Sequence, residues 1–183
     1  MRMRGMGRLI LVTGGARSGK SDFALHIAEA LPGPRCFIAT CPLVDSEMEE
    51  RIARHREDRA AGEWQTVEEQ TDIAAILQAH RNDSVCLVDC LTLWVNNLLY
   101  HAEQSKEIFS DSELHQQCDG LLQALALHQG TVICVTNEVG MGIVPGNPSA
   151  RLYRDLVGRC NRMLAAAADE VYLVSCGIPL RLK

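Results

Sequence analysis

Residues Gly14 to Ser21 read Gly-Gly-Ala-Arg-Ser-Gly-Lys-Ser, and this octet narrows the possible folds more than any other stretch of the chain. It matches G-x-x-x-x-G-K-[ST], the pattern of a phosphate-binding loop. Gly14 and Gly19 let the backbone curl tightly enough to aim successive N–H groups at phosphate oxygens. A helix starting here adds its positive N-terminal end. In such a loop Lys20 reaches the β- and γ-phosphates, and the Ser21 hydroxyl helps to hold Mg²⁺. A glycine turn that only joins a strand to a helix is the competing reading. The flanks favour phosphate binding: RLILVT supplies a strand before the loop and SDFALHIAEAL a helix after it.

Beyond the loop, short apolar runs alternate with longer segments of helical period. Strands are expected at Leu9–Thr13, Cys36–Ala39, Trp64–Val67, Val85–Val88, Thr131–Thr136 and Val171–Val174, with an edge strand around Leu180 and Leu182. Helices are expected at Lys20–Leu31, Ser46–Ala61, Thr71–His80, Leu91–Tyr100, Ser112–His128 and Ala150–Ala168. Gly140 to Pro148 reads as a loop. Continuous apolar strands separated by helices imply an α/β fold, with a mainly parallel sheet covered on both faces. Nothing divides the 183 residues, so one domain over 1–183 is expected.

Composition removes several function classes. The net charge of −5 lacks the basic surplus of a general nucleic-acid binder, yet leaves room for small anionic ligands at a local positive site. Eight cysteines include no C-x-x-C pair, which argues against zinc or thioredoxin-type chemistry. Several, such as Cys86 and Cys134, sit in apolar runs, where a thiol behaves as a small buried hydrophobe. The basic start MRMRGMGR precedes too short an apolar run for a signal segment, and no stretch approaches a membrane span. A cytoplasmic protein with reduced cysteines is expected.

Asp89 closes the run VCLVD, and a carboxylate at a strand's carboxyl end shares a rim with the loop. It is a candidate second metal ligand, with a helix N-cap for the following LTLWVNNLL segment as the alternative. Asn137 and Glu138 follow another strand and could orient a metal-bound water or a substrate hydroxyl; a tight turn held by an Asn side chain is the alternative. In the expected helix over Ser46–Ala61, His55 shares a face with Met48 and Ile52, and Arg51 and Arg59 lie one turn to either side. On residue usage alone, a packed or exposed histidine beside solvated arginines is the favoured reading of that residue.

The run Val135-Thr-Asn-Glu-Val-Gly-Met-Gly-Ile-Val-Pro145 is more discriminating than the phosphate loop. With Ala150 to Asn161, Ala165 to Asp169, GGARSGKS, Glu47 to Arg56 and Asp89 to Asn97 in the same order, it resembles the adenosylcobinamide kinase/adenosylcobinamide-phosphate guanylyltransferase family. The resemblance spans about Leu9 to Leu182. It implies a P-loop nucleotide-binding fold of the RecA-like type, and two reactions. In the first, ATP or GTP gives its γ-phosphoryl group to the aminopropanol hydroxyl of adenosylcobinamide. In the second, GTP gives GMP to a histidine, and the phosphorylated corrinoid takes it to form adenosylcobinamide-GDP.

The resemblance places the guanylylated histidine on His55, with Lys20 as the other catalytic residue. GTP contacts fall on Gly14, Gly15, Ala16, Arg17, Ser18, Gly19, Lys20 and Ser21, on Ala39, Thr40 and Cys41, on Arg56, Glu57, Asp58 and Arg59, and on Glu68 and Asp89. Ser21 and Asp89 would hold Mg²⁺. Some relatives carry Glu where this chain has Asp89, and often Ser or Ala where it has Cys41. The resemblance also implies a homotrimer whose partners are adenosylcobinamide, its phosphate, GTP and ATP. A regulatory GTPase would use the same loop but should carry N-K-x-D, which is absent; the D-x-x-G match at Asp155 to Gly158 falls within a helical pattern. A plain small-molecule kinase is the closer rival and leaves His55 without a purpose.

Overall fold

The computed structural model describes residues 7–42, 63–82 and 85–183. The expected helix over Ser46–Ala61, with His55 and Arg56 to Arg59, lies outside the described residues. Seven strands are described: β1 (Arg8–Gly14), β2 (Arg35–Ala39), β3 (Trp64–Glu68), β4 (Val85–Asp89), β5 (Thr131–Val135), β6 (Glu170–Ser175) and β7 (Ile178–Arg181). The described helices are α1 (Lys20–Glu29), α2 (Ile73–Ala79), α3 (Leu91–Gln104), α4 (Asp111–Leu127) and α5 (Pro148–Ala167). The strands form one sheet in the order β3-β2-β4-β5-β1-β6-β7. Neighbours from β3 to β6 run parallel, and β7 alone turns back antiparallel on β6.

The apolar runs of the inner strands are continuous because those strands are buried on both faces, whereas the edge strands β3 and β7 are largely exposed. One face sends Leu9, Leu11, Cys86, Val88, Val132 and Cys134 into a core shared with Leu77, Trp94, Leu121 and Leu164 of α2 to α5. The opposite face sends Ile10, Val12, Leu87, Ile133 and Val135 against Ala24 and Ala28 of α1. Strand period 2 produces this sorting. Each fully buried aliphatic side chain contributes about 1.5–3 kcal/mol relative to exposure. The mainly parallel α/β architecture with helices on both faces is thus as expected.

Boundaries differ where local chemistry overrides pattern. α5 begins at Pro148 rather than Ala150, because proline fits the first helical turn, where no N–H is needed, and Asn147 caps it by accepting from Ser149 and Ala150 N–H groups. The apparent D-x-x-G of Asp155 to Gly158 lies inside this helix. α3 continues to Gln104, beyond the expected Tyr100, and α1 stops at Glu29 rather than Leu31.

Candidate nucleotide site

The carboxyl ends of the six parallel strands form one rim. Across it, Glu68 is in register with Ala39, Ala39 with Asp89, Asp89 with Val135, and Val135 with Val12. β5 separates the Asp89 strand from the loop strand, so those two lie two strand spacings apart, roughly 10 Å. Glu68 lies four spacings from β1, roughly 19 Å, at the far end of the rim.

The loop over Gly14 to Gly19 is shaped by close backbone packing. A methyl group on Gly14 would lie 2.4 Å from Val174 C=O and 2.6 Å from Ser18 Oγ, so no side chain fits there. Gly19 takes φ +86°, and a methyl on it would meet Gly177 Cα at 3.2 Å. The β6–β7 turn thus braces the loop from outside: Gly177 N–H donates to Ser18 C=O at 2.9 Å. On the other flank, Glu138 N–H donates to Gly14 C=O at 3.0 Å. Arg17 also adopts positive φ, 54°. No side chain caps α1 at its N-cap Gly19, which leaves the positive end of the helix open toward the loop.

Lys20 is buried to 7% exposure, and its ammonium donates to Gly15 C=O at 3.2 Å, folded back over the loop. Asp89 and Lys20 each lie near enough to the Cys90 thiol to act on it. Burial pushes Cys90 up to about 11, the Asp89 charge adds to this, and the Lys20 charge opposes it. The N-cap of α3 is Cys90 rather than Asp89, so the capping alternative for that carboxylate is not the arrangement seen. Ser18 Oγ and Thr13 Oγ1 are buried without hydrogen-bond partners beside the loop.

Ala39, Thr40 and Cys41 reach the rim at the end of β2. Thr40 is fully buried and its polar groups are internally engaged. Its N–H donates to Asp89 C=O, its hydroxyl donates to Cys90 C=O and accepts from Cys90 N–H, and its carbonyl accepts from Asn97 Nδ2. Thr40 shapes the rim. Cys41 is half-buried, and Glu68 is exposed. Asn137 and Glu138 are half-buried at the end of β5, Glu138 accepting from Gly140 N–H at 2.7 Å.

Four residues overlooked in the sequence organise this rim. Asn97 donates to the Thr40 and Gln70 carbonyls, at 2.7 and 3.0 Å, tying the ends of β2 and β3 together. Thr92, Thr136 and Asn161 bond the main chain of Asn137 and one another. Their signal was polarity on a buried face: Asn161 borders the buried stripe of Val157, Cys160 and Leu164.

A mainly parallel sheet with a braced glycine loop, an uncapped helix and an inward-folded lysine defines a P-loop nucleotide-binding protein. Solved structures agree on the fold. An ATPase from the type III secretion system of pathogenic bacteria superposes with TM-score 0.60 at 14% identity, covering 96% of this chain and 57% of its own. The flagellar accessory protein FlaH from Methanocaldococcus jannaschii gives 0.52 at 13% identity, covering 98% of this chain and 79% of its own. The model of the family described as cobinamide kinase / cobinamide phosphate guanyltransferase matches residues 10–182, and the chain belongs to that family.

The bifunctional adenosylcobalamin biosynthesis protein CobU of Escherichia coli is 42% identical over 96% of this chain and 99% of its own length. The CobU protein of Salmonella typhimurium matches equally. The bifunctional protein CobP of Pseudomonas aeruginosa is 38% identical over 94% of this chain and 96% of its own. The chain is accordingly a bifunctional enzyme of cobalamin biosynthesis, a cobinamide kinase and cobinamide phosphate guanylyltransferase.

Proposed function

We propose that the loop Gly14 to Ser21 holds the donor triphosphate for both reactions, and that His55 carries the guanylyl group between them. The observation that supports this most is the position of Lys20, buried and folded over a loop that leads into the uncapped end of α1. In the kinase step the aminopropanol hydroxyl oxygen of adenosylcobinamide attacks the γ-phosphorus of ATP or GTP. The bond to the β–γ bridging oxygen breaks, the nucleoside diphosphate leaves, and the hydroxyl proton passes to solvent. In the transferase step a His55 imidazole nitrogen attacks the α-phosphorus of GTP and pyrophosphate leaves. A phosphate oxygen of adenosylcobinamide phosphate then displaces the histidine, giving adenosylcobinamide-GDP. Splitting the transfer divides one hard displacement into two in-line steps.

Lys20 stabilises charge on the phosphoryl oxygens as each bond breaks. The remaining loop residues, Ala39, Cys41, Arg56 to Arg59 and Glu68 bind the nucleotide, and the buried Thr40 supports the rim beneath it. Mg²⁺ fits the donor set: Ser21 and Asp89 offer hard oxygen ligands, and Mg²⁺ at phosphate sites needs only one or two from protein. Thr13 Oγ1 and Ser18 Oγ, orphaned at the two ends of the loop, are suited to bond its water shell or the phosphates. When bound, the ion neutralises charge on the phosphates. Asn137 and Glu138 face the reacting hydroxyl. The eight cysteines are free, which supports a reducing, cytoplasmic setting, and among the described residues no helix is long and apolar enough to cross a membrane. The assembly is a homotrimer, testable by light scattering.

Incubation with GTP labelled at the α-phosphate should leave acid-labile, alkali-stable label on the protein. His55→Ala should remove that label and spare corrinoid phosphorylation. Label persisting in His55→Ala would place the nucleophile elsewhere.

A further inference from the structure

Past the end of β5 the chain should loosen, because a glycine-rich loop follows. Instead, the main chain of Asn137 is held from both sides by side chains. Its N–H donates to Thr92 Oγ1 at 2.7 Å, and its C=O accepts from Asn161 Nδ2 at 3.0 Å. Thr136 Oγ1 donates to Asn161 Oδ1 at 2.7 Å, and Thr92 Oγ1 lies 3.3 Å from Thr136 Oγ1.

The donor inventory fixes the direction of every bond. Thr136 has one hydroxyl proton, already given to an oxygen that can only accept, so Thr92 must be the donor to Thr136. The chain therefore runs from Asn137 N–H to Thr92, to Thr136, to Asn161 and back to Asn137 C=O. It is a closed ring in which each hydroxyl both accepts and donates. Thr92 and Thr136 are buried to 2% and 0% exposure, so water does not compete for these bonds. Tyr153 OH adds a brace to Thr92 C=O at 3.3 Å. The ring joins α3, β5 and α5 at the rim.

One atom is left out of it. Asn137 Oδ1 is buried and has no hydrogen-bond partner. A buried acceptor left unpaired on a residue whose main chain is pinned twice is costly unless a ligand supplies the donor. We propose that Thr92, Thr136 and Asn161 are positioning residues: their ring aims Asn137 Oδ1 so that it accepts from the attacking hydroxyl of the cobinamide. That bond turns the oxygen lone pair toward the γ-phosphorus. It serves phosphoryl transfer and not guanylylation of the protein, which uses no substrate hydroxyl. The inference rests on the proposed siting of the kinase reaction at this rim.

The test uses the full-length enzyme with adenosylcobinamide and GTP, measuring kcat and KM for phosphorylation, GTP Kd, and self-guanylylation as internal reference. Asn161→Asp keeps the volume and the acceptor but removes the donor; Thr136→Val and Thr92→Val each delete one hydroxyl. Each should lower phosphorylation kcat by about tenfold or more, since small displacements of a positioning group are costly. GTP Kd and self-guanylylation should stay within about twofold. Because all three act through one ring, Asn161→Asp combined with Thr136→Val should be no slower than the worse single variant. Thr136→Ser should restore the rate, and Asn161→Asp should recover at low pH, where its carboxyl regains a proton to donate.

Unchanged kcat in the ring variants alongside a slow Asn137→Ala would overturn the positioning role alone. So would losses that multiply in the double variant, or that track the melting temperature. Asn137→Ala with both reactions intact would instead remove the siting at this rim. Should Thr136→Val fail to fold, Asn161→Asp combined with Thr92→Val carries the same comparison.

Discussion

The two ends of the sheet differ in how many buried polar atoms they leave unpaired. At the amino end polar groups are paired with one another. Leu9 and Asp169 exchange two bonds, with Leu9 N–H donating to Asp169 Oδ2 and Asp169 N–H to Leu9 C=O, both at 2.8 Å. Glu170 accepts from Arg8 and from Tyr172 OH, and His128 Nδ1 accepts from Gly130 N–H. At the carboxyl end Thr13 Oγ1, Ser18 Oγ and Asn137 Oδ1 are buried without partners; the only other such described atom is Trp64 Nε1, at the start of β3. An orphaned buried group costs about 1–3 kcal/mol. Concentrating three of them around one loop is unfavourable for the bare fold and reasonable for a surface that phosphate and hydroxyl groups complete. Stability is held at one end of the sheet and binding at the other.

The largest expected effect lies at the binding end. Lys20→Ala should lower both corrinoid phosphorylation and self-guanylylation by about two to three orders of magnitude, the usual loss when a charge-stabilising donor is removed. Its melting temperature should change little, because the bond that Lys20 makes to Gly15 C=O joins parts of the same loop. Activity assays beside a thermal melt check this. Two intact activities with a large fall in melting temperature would reverse the assignment of the two ends.

The amino end makes the complementary prediction. Burial pushes the pKa of the Glu170 carboxyl up, but the Tyr172 hydroxyl bond and the Arg8 bonds and charge outweigh it and hold that pKa below the usual Glu value of 4.5. A depressed folded value means that the ionised group stabilises the fold above pH 4.5, and that this contribution is lost as pH falls through the folded value. Glu170→Gln should therefore cost about 1–2 kcal/mol at pH 7. The gap from the parent should close in acid, and both activities should survive. Denaturant melts over a pH series read this directly. A Glu170→Gln enzyme that is stable but inactive would merge the two ends into one site.

What the sequence disclosed follows the same division. The loop, the strand ends at Asp89 and Asn137, and the two-faced sheet were legible because each rests on local pattern: glycine spacing, apolar runs and strand-to-helix order. The bracing of the loop by Gly177 and the ring of Thr92, Thr136 and Asn161 were not legible. Each joins residues far apart in the chain, and nothing local distinguishes a threonine that closes a ring from one that merely sits in a strand. Asn97 was visible only as a polar residue in an apolar helix, a sign of burial without a partner's name. His55 entered through the family motif and lies outside the described residues, so the resemblance carries it alone.

The smallest expected effect tests whether the rim's helix ends differ for a reason. α2, α4 and α5 each have their first N–H groups capped by a side chain, from Asp72, Ser110 and Asn147, whereas α1 and α3, which both start at the rim, have none. A cap is worth about 1 kcal/mol, so Asn147→Ala should lower stability by about that amount. The Pro145 and Gly146 carbonyls stay bonded to Arg151, which limits the damage to the helix end. GTP affinity should be unchanged, because the end of α5 is closed by its own side chain, whereas α1 leaves its end to the phosphates. Isothermal titration with GTP beside a thermal melt separates the two quantities. A loss of GTP affinity larger than the loss of stability would mean that the end of α5 also belongs to the nucleotide site, and that capping does not separate structural helix ends from binding ones.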